Sequence, residues 1–176
     1  MNKRAKQLVL ACCVPVLILL GLCVKPLYTL LTGEEMILQT KPVDPSDLFR
    51  GDYVTLRYEA EEVPKKLVEQ SVLTRLQKRG GEFEVYILME KKNGVHTPIK
   101  VTLTKPDKGE FLNGTISYID KDNLGQEIAY IEYGLDNYYV EDNTGTEWET
   151  ASTKGEILAK IKVTNGYAIL TDNTKK

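Results

Sequence analysis

Apolar residues are laid along this chain in two unlike ways. Residues 8–24 form an unbroken run of 17 uncharged, mostly apolar positions, whereas after residue 32 apolar and polar positions alternate in short segments. At 1.5 Å per residue the run spans roughly 26 Å as a helix, slightly less than a hydrocarbon core of about 30 Å. Beyond Lys25 the apolar character resumes through Leu27, Tyr28, Leu30 and Leu31. A tilted span over residues 8–31 follows, with Lys25 snorkelling, Tyr28 at the interface and Pro15 tolerated inside the membrane helix.

The rest reads as short strands. Residues 36–40 predict a strand, and residues 52–60 alternate with a period of two, so that Val54, Leu56 and Tyr58 share a face and Arg57 and Glu59 lie opposite. Pro64 opens a helical pattern over 65–79, with Val68, Val72 and Leu76 in line and Gly80-Gly81 as the stop. Residues 82–90 and 97–104 flank Asn93-Gly94 and predict a hairpin, with Ile99, Val101 and Leu103 on one face. Residues 110–119 predict the next strand, in which Asn113-Gly114 marks a bulge or tighter turn, and 127–133 another. A turn at 143–146, a short helix at 147–154 and a clean alternation over 157–163 follow. Asn165-Gly166 turns the chain into a strand at 167–171, and the polar tail 172–176 is expected to fray. About eight strands and one or two short helices, with no repeat or linker, predict a mainly β domain over 32–176. Its expected form is an antiparallel, partly closed barrel or sandwich.

Charge adds direction. The formal net charge is −2, but Lys3, Arg4, Lys6 and Lys25 leave 19 basic against 25 acidic residues from Pro26 onward. That balance argues against a basic phosphate-binding groove and makes nucleic acid a poor partner. Basic residues before the apolar run predict residues 1–7 in the cytoplasm and 32–176 outside the cytoplasmic membrane. A cleaved signal peptide competes with this single-pass anchor, but Gly21-Leu22-Cys23 is a marginal cleavage site. A lipid-modified Cys23 competes less well, because Leu22 is bulky. The three cysteines, Cys12, Cys13 and Cys23, all lie in the apolar run, so the outer domain has no disulfide, thiol nucleophile or cysteine metal ligand.

The densest cluster of special residues is residues 42–58, PVDPSDLFRGDYVTLRY. Two prolines and three short polar side chains set a stiff turn, Gly51 marks a tight backbone position, and a strand follows. Gly51-Asp52-Tyr53, then Leu56 and Tyr58, match a GDYxxLxY pattern. Tyr133-Gly134, Tyr138-Tyr139-Val140 and Gly145 match a second landmark of the form YGxxxYFV plus a glycine turn, with Tyr139 in place of phenylalanine. The chain therefore resembles the GDYxxLxY family of small bacterial membrane-anchored proteins over nearly its whole length. The resemblance implies an anchored extracytoplasmic domain and transfers no catalytic residue.

The candidate chemistry is sparse. Asp44, Asp47 and Asp52 are the densest carboxylate group, but turn capping and pairing of Asp52 with Arg50 or Arg57 account for them without a metal. Arg50-Gly51-Asp52 spells an adhesion tripeptide, yet runs straight into a strand instead of a free loop tip. His96 is the single histidine, and it is expected on the surface of a hairpin. A peptidase of the signal-peptidase type is disfavoured because Val43 occupies the position its nucleophile would need. The tyrosines Tyr130, Tyr133, Tyr138 and Tyr139 suit either a half-buried strand or a wet binding surface. The motif residues with a structural or binding role are Asp44, Asp47, Arg50, Gly51, Asp52, Tyr53, Leu56, Tyr58, Tyr133 and Tyr138. No catalytic constellation, metal or cofactor is expected. The reading is a membrane-anchored extracytoplasmic interaction domain whose partner is another envelope or membrane protein. The alternative is a domain that binds a small ligand or cation beside residues 50–58.

Overall fold

A computed structural model describes residues 3–42, 53–122, 124–139 and 154–175. The first element, α1, is one helix over Lys3–Thr32, with Pro15 and Pro26 inside it. Residues Ala11–Thr32 are long and apolar enough to cross a membrane, and within them Thr29 alone is buried against the rest of the chain.

Eleven strands follow among the described residues. One sheet contains β1 (Glu34–Lys41), β3 (Arg57–Tyr58), β10 (Ile157–Thr164) and β11 (Tyr167–Lys175), in the order β11-β10-β1-β3. The second contains β4 (Glu62–Pro64), β5 (Phe83–Lys92), β6 (Val95–Thr102), β7 (Phe111–Lys121) and β8 (Glu127–Glu132), in the order β4-β8-β7-β5-β6. A small ribbon pairs β2 (Tyr53–Thr55) with β9 (Asn137–Tyr139). All strand pairs are antiparallel. A short helix, α2 (Gln70–Arg79), packs Val72 into the core. The expected mainly β architecture with an apolar N-terminal helix is therefore what the chain adopts.

The sheets curl around one core, to which Met36, Leu38, Leu56, Tyr58, Ile87, Leu112, Ile116, Ile131 and Ile161 each contribute a fully buried side chain. Alternation does most of the work. In β10 the residues Ile157, Ala159, Ile161 and Val163 face in, and their neighbours are half exposed. Two of the three Asn-Gly pairs make tight hairpins: Asn93 and Gly94 have φ of 52° and 86°, Asn165 and Gly166 of 52° and 80°. Left-handed φ at both central residues is the signature of the turn that matches strand twist.

Five local expectations are overturned, that of His96 among them. The run 52–60 is not one strand, because Leu56 interrupts it and β2 and β3 join different sheets. The helix pattern over 65–79 shortens to α2, since residues 65–67 form a 3-10 turn and Val68 bridges to Val101. Gly114 is neither bulge nor turn but a paired position of β7 opposite Val85. A Cβ there would stand 2.7 Å from Ile131 Cγ2 and 3.0 Å from Ile87 Cδ1, so close packing is the reason for the glycine. The tail is not frayed, because β11 runs on to Lys175 and pairs with β10 down to Ile157. The turn expected at 143–146 and the helix expected at 147–154 lie, except for Lys154, outside the described residues.

His96 is the instructive miss. Simple alternation back from Val101 would bury Ile99, yet Ile99 is 38% exposed and His96 is 2% exposed. The ladder between β5 and β6 slips by one residue, with Leu88 opposite Lys100 and Met89 opposite Pro98. Ile99 is the extra residue, and every side chain before it changes face. His96 Nδ1 then accepts the Ile37 N–H at 2.9 Å, across the seam between the two sheets. Its ring takes the place of a strand partner for the free edge of β1. Replacing His96 with Leu should leave the Ile37 amide unpaired in a buried seam. The expected loss is about 1–3 kcal/mol in chemical denaturation; an unchanged midpoint would show that the seam does not need the ring.

Candidate functional site

The two sequence landmarks meet in space. Tyr53 lies opposite Tyr139, Val54 opposite Tyr138 and Thr55 opposite Asn137 in the β2–β9 ribbon. The Leu56 N–H donates to the Asp136 carbonyl at 2.7 Å. Tyr58 is fully buried and its hydroxyl donates to the Leu135 carbonyl at 2.8 Å. Tyr133 returns the contact, its hydroxyl donating to the Ala60 carbonyl at 2.7 Å. Leu56, Tyr58 and Tyr133 thus serve as a clasp: the buried Tyr58 phenol satisfies a carbonyl of the second landmark, and the half-buried Tyr133 phenol satisfies one just after the first. Arg57 and Glu59 are exposed, as the alternation predicts. Tyr53 and Tyr138 are placed by their backbone. Asp44, Asp47, Arg50, Gly51 and Asp52 lie outside the described residues.

Beside the clasp the chain changes sheets. Residues 57–58 pair with Thr40 and Lys41 of β1, residues 59–61 make a 3-10 turn, and residues 62–64 pair with β8. At this corner sits Glu61, a residue outside both landmarks. It is 5% exposed. Its Oε2 accepts the Tyr58 N–H at 3.2 Å, which caps the turn. Its Oε1 is buried and has no hydrogen-bond partner among the described residues.

Glu61 borders a cavity of about 240 Å³ that is also lined by Lys41, Arg57, Ser117, Tyr118, Tyr130 and Glu132. A strand irregularity opens it. Ile116 pairs with Ile131 but Tyr118 pairs with Tyr130, so Ser117 is an extra residue in β7. Bulges bend a strand and re-aim a side chain. Here the Ser117 hydroxyl is buried without a partner among the described residues, while Tyr118 and Tyr130 stack with ring centroids 4.7 Å apart. Lys41 forms an ion pair with Glu62. Arg57 makes no ion pair among the described residues.

Burial dominates the titration of this corner. It pushes Glu61 up to about 7, against the opposing pull of the Tyr58 amide, Arg57 and Lys41. Asp136 is also raised by burial, opposed by Arg57 and assisted by Glu132, and its Oδ1 is buried without a partner among the described residues. Tyr58 and Tyr133 are raised far above the ordinary phenol range, first by burial and then by the Glu61 charge. Glu61 is therefore a carboxyl that is partly neutral near pH 7. The sequence offered one faint signal for it, the Tyr-x-x-Glu spacing of a turn cap; Ser117 offered none, because a bulge has no local signature there.

Two other concavities are poorer sites. A groove of about 540 Å³ lies between residues 64–68, Leu73 and residues 126–127, and its main polar feature is the exposed Lys65–Glu127 pair. A hollow of about 240 Å³ lies between the end of α1 and the turns at 109–111 and 164–166.

Fold and site together define a class: a curled β domain behind an apolar helix, with two tyrosine landmarks clasped around a buried carboxyl. The chain belongs to the GDYXXLXY protein family, whose model matches residues 15–172. No curated protein and no solved structure matches it.

Truncating Leu56 to Ala should cost about 2–5 kcal/mol, since the side chain is fully enclosed. Tyr58→Phe should cost about 1–3 kcal/mol by leaving the Leu135 carbonyl unpaired. Values near zero in equilibrium unfolding would contradict the clasp. The Glu61 shift has a sign that can be checked. The folded chain holds a proton on Glu61 that the unfolded chain releases between about pH 4.5 and 7. Stability should therefore fall as pH rises through that window, by on the order of 3 kcal/mol from this group. Glu61→Gln should flatten that part of the pH dependence; an equally steep curve in the variant would assign it elsewhere.

Proposed function

We propose that this protein is a membrane-tethered interaction domain, carried outside the cytoplasm on α1 with its N-terminus inside. It acts by binding another membrane or envelope protein, not by catalysis. The observation that carries this reading is the junction between helix and domain. A single residue, Gly33, separates α1 from β1, and its N–H donates to the Thr29 carbonyl at 2.8 Å. A Cβ on Gly33 would stand 2.5 Å from that carbonyl oxygen and 3.0 Å from Val163 N, so the helix end is seated on β10. Lys162 Nζ donates to the Leu30 carbonyl at 2.6 Å, and Lys25 Nζ lies 4.0 Å over the Tyr167 ring. A domain held so closely to its anchor works at the bilayer surface, where its accessible partners are other membrane and envelope proteins. The basic residues Lys3, Arg4 and Lys6 ahead of the apolar stretch support the orientation. A second reading, binding of a small ligand, is favoured by the Glu61 cavity and its unpartnered buried oxygen.

A photo-crosslinking residue placed at Ile99, Tyr118 or Leu124, all exposed, tests the first reading in the native membrane. The expected result is a discrete adduct with one other membrane or envelope protein from at least one position, lost when α1 is replaced by a cleavable leader. Adducts absent at all three positions would count against a protein partner.

A further inference from the structure

The geometry points to the Glu61 cavity as a carboxylate-binding site, in which the ligand's carboxylate lies between the Arg57 guanidinium and the Glu61 carboxyl. The assignment rests on the ligand-binding reading of this cavity and names the ligand's chemistry.

Three features select that chemistry. Arg57 lines the cavity without an ion pair among the described residues, and a guanidinium matches a planar carboxylate with two parallel N–H donors. Glu61 Oε1 and Ser117 Oγ are buried and unpartnered among the described residues. A protonated Glu61 and the Ser117 hydroxyl are both donors, so the enclosed end of the cavity offers hydrogen to an acceptor. The size also discriminates. About 240 Å³ falls below the range of roughly 300–1,000 Å³ typical of drug-sized sites, and suits a group of amino-acid size.

Competing charges fit less well. A ligand ammonium would sit beside Arg57 and Lys41. A phosphate dianion would meet Glu132 on β8, which lines the same cavity, and Asp136 beyond it. A single negative charge is balanced by Arg57, while Lys41 remains paired with Glu62. Tyr118, 53% exposed and stacked on Tyr130, gives the rest of the ligand an aromatic face at the mouth. Tyr58 and Tyr133, the remaining titratable groups against Glu61, stay neutral throughout because burial raises both.

Binding therefore takes the protonated form of Glu61. With that carboxyl titrating at about 7, the competent fraction falls from about nine-tenths at pH 6 to about one-tenth at pH 8. The apparent affinity should fall about tenfold over the same interval.

The test uses the full chain in detergent micelles and isothermal titration calorimetry at pH 6 and pH 8. The probes are N-acetylglycine, N-acetylglycinamide, ethanolamine, and an acetylated alanine tripeptide with a free or an amidated C-terminus. At least one free carboxylate should bind, its amide should not, and binding should be about tenfold weaker at pH 8. N-acetylglycine binding without the tripeptide identifies a free acid as the source; the tripeptide binding without N-acetylglycine identifies a chain terminus. Arg57→Gln should weaken binding at least tenfold. Glu61→Gln keeps both the turn cap and a neutral donor, so it should bind equally at the two pH values. Ethanolamine or the amides binding in place of the carboxylates would overturn the carboxylate assignment and leave a ligand site. No heat with any probe, from protein whose melting is cooperative, would overturn the ligand site as well.

Discussion

One buried and one half-buried phenol tie this fold's two landmark regions together, and the constraint on them is hydrogen bonding, not shape alone. A tyrosine buried as completely as Tyr58 must place its hydroxyl on an acceptor, because an unpaired polar group in the core costs as much as the packing around it contributes. Tyr58 uses the Leu135 carbonyl, and Tyr133 uses that of Ala60. Each bond joins the neighbourhoods of the two landmarks across more than 70 positions of sequence. The corner at residues 57–64, which moves the chain from one sheet to the other, is fixed by the same pair. Glu61 sits where it does because that corner is fixed.

The site inherits its character from this arrangement. A carboxyl that caps a turn with one oxygen has the other to spare, and burial at the corner decides its protonation. The bulge at Ser117 supplies room beside it, and Arg57 follows from strand alternation, pointing away from the core that takes Leu56 and Tyr58. No single element makes the cavity. It exists because a sheet switch and a bulge fall side by side.

What could be read from the sequence divides along the same physical line. Periodicity and turn chemistry are local, so the β10 alternation, both Asn-Gly hairpins, the apolar helix and the buried pair Leu56 and Tyr58 were all legible. Bulges are non-local, since a slipped register depends on the neighbouring strand. That is why Ile99 exchanged places with His96 and why Ser117 went unnoticed. Gly114 was misread for a related reason: its partner is an isoleucine 17 positions later in β8, which local turn rules do not see. At the site, the motif tyrosines were visible as a pattern, but Glu61 and Asp136 acquire their importance only from burial. The aspartates 44, 47 and 52 fall outside the described residues, so the site is built from the landmark residues that follow them.

The one-residue joint at Gly33 has a consequence for encounter. A domain on a long flexible linker explores a hemisphere whose volume grows with the cube of its reach, and its local concentration at a neighbouring target falls accordingly. With a single residue between helix and strand, and two lysines fastening the helix end to the sheet and its turn, that search volume collapses to a thin layer next to the helix. If α1 lies in a bilayer, diffusion becomes two-dimensional and every approach presents the same face. Under those conditions a weak contact suffices for high occupancy, because orientation has been settled before the partners meet.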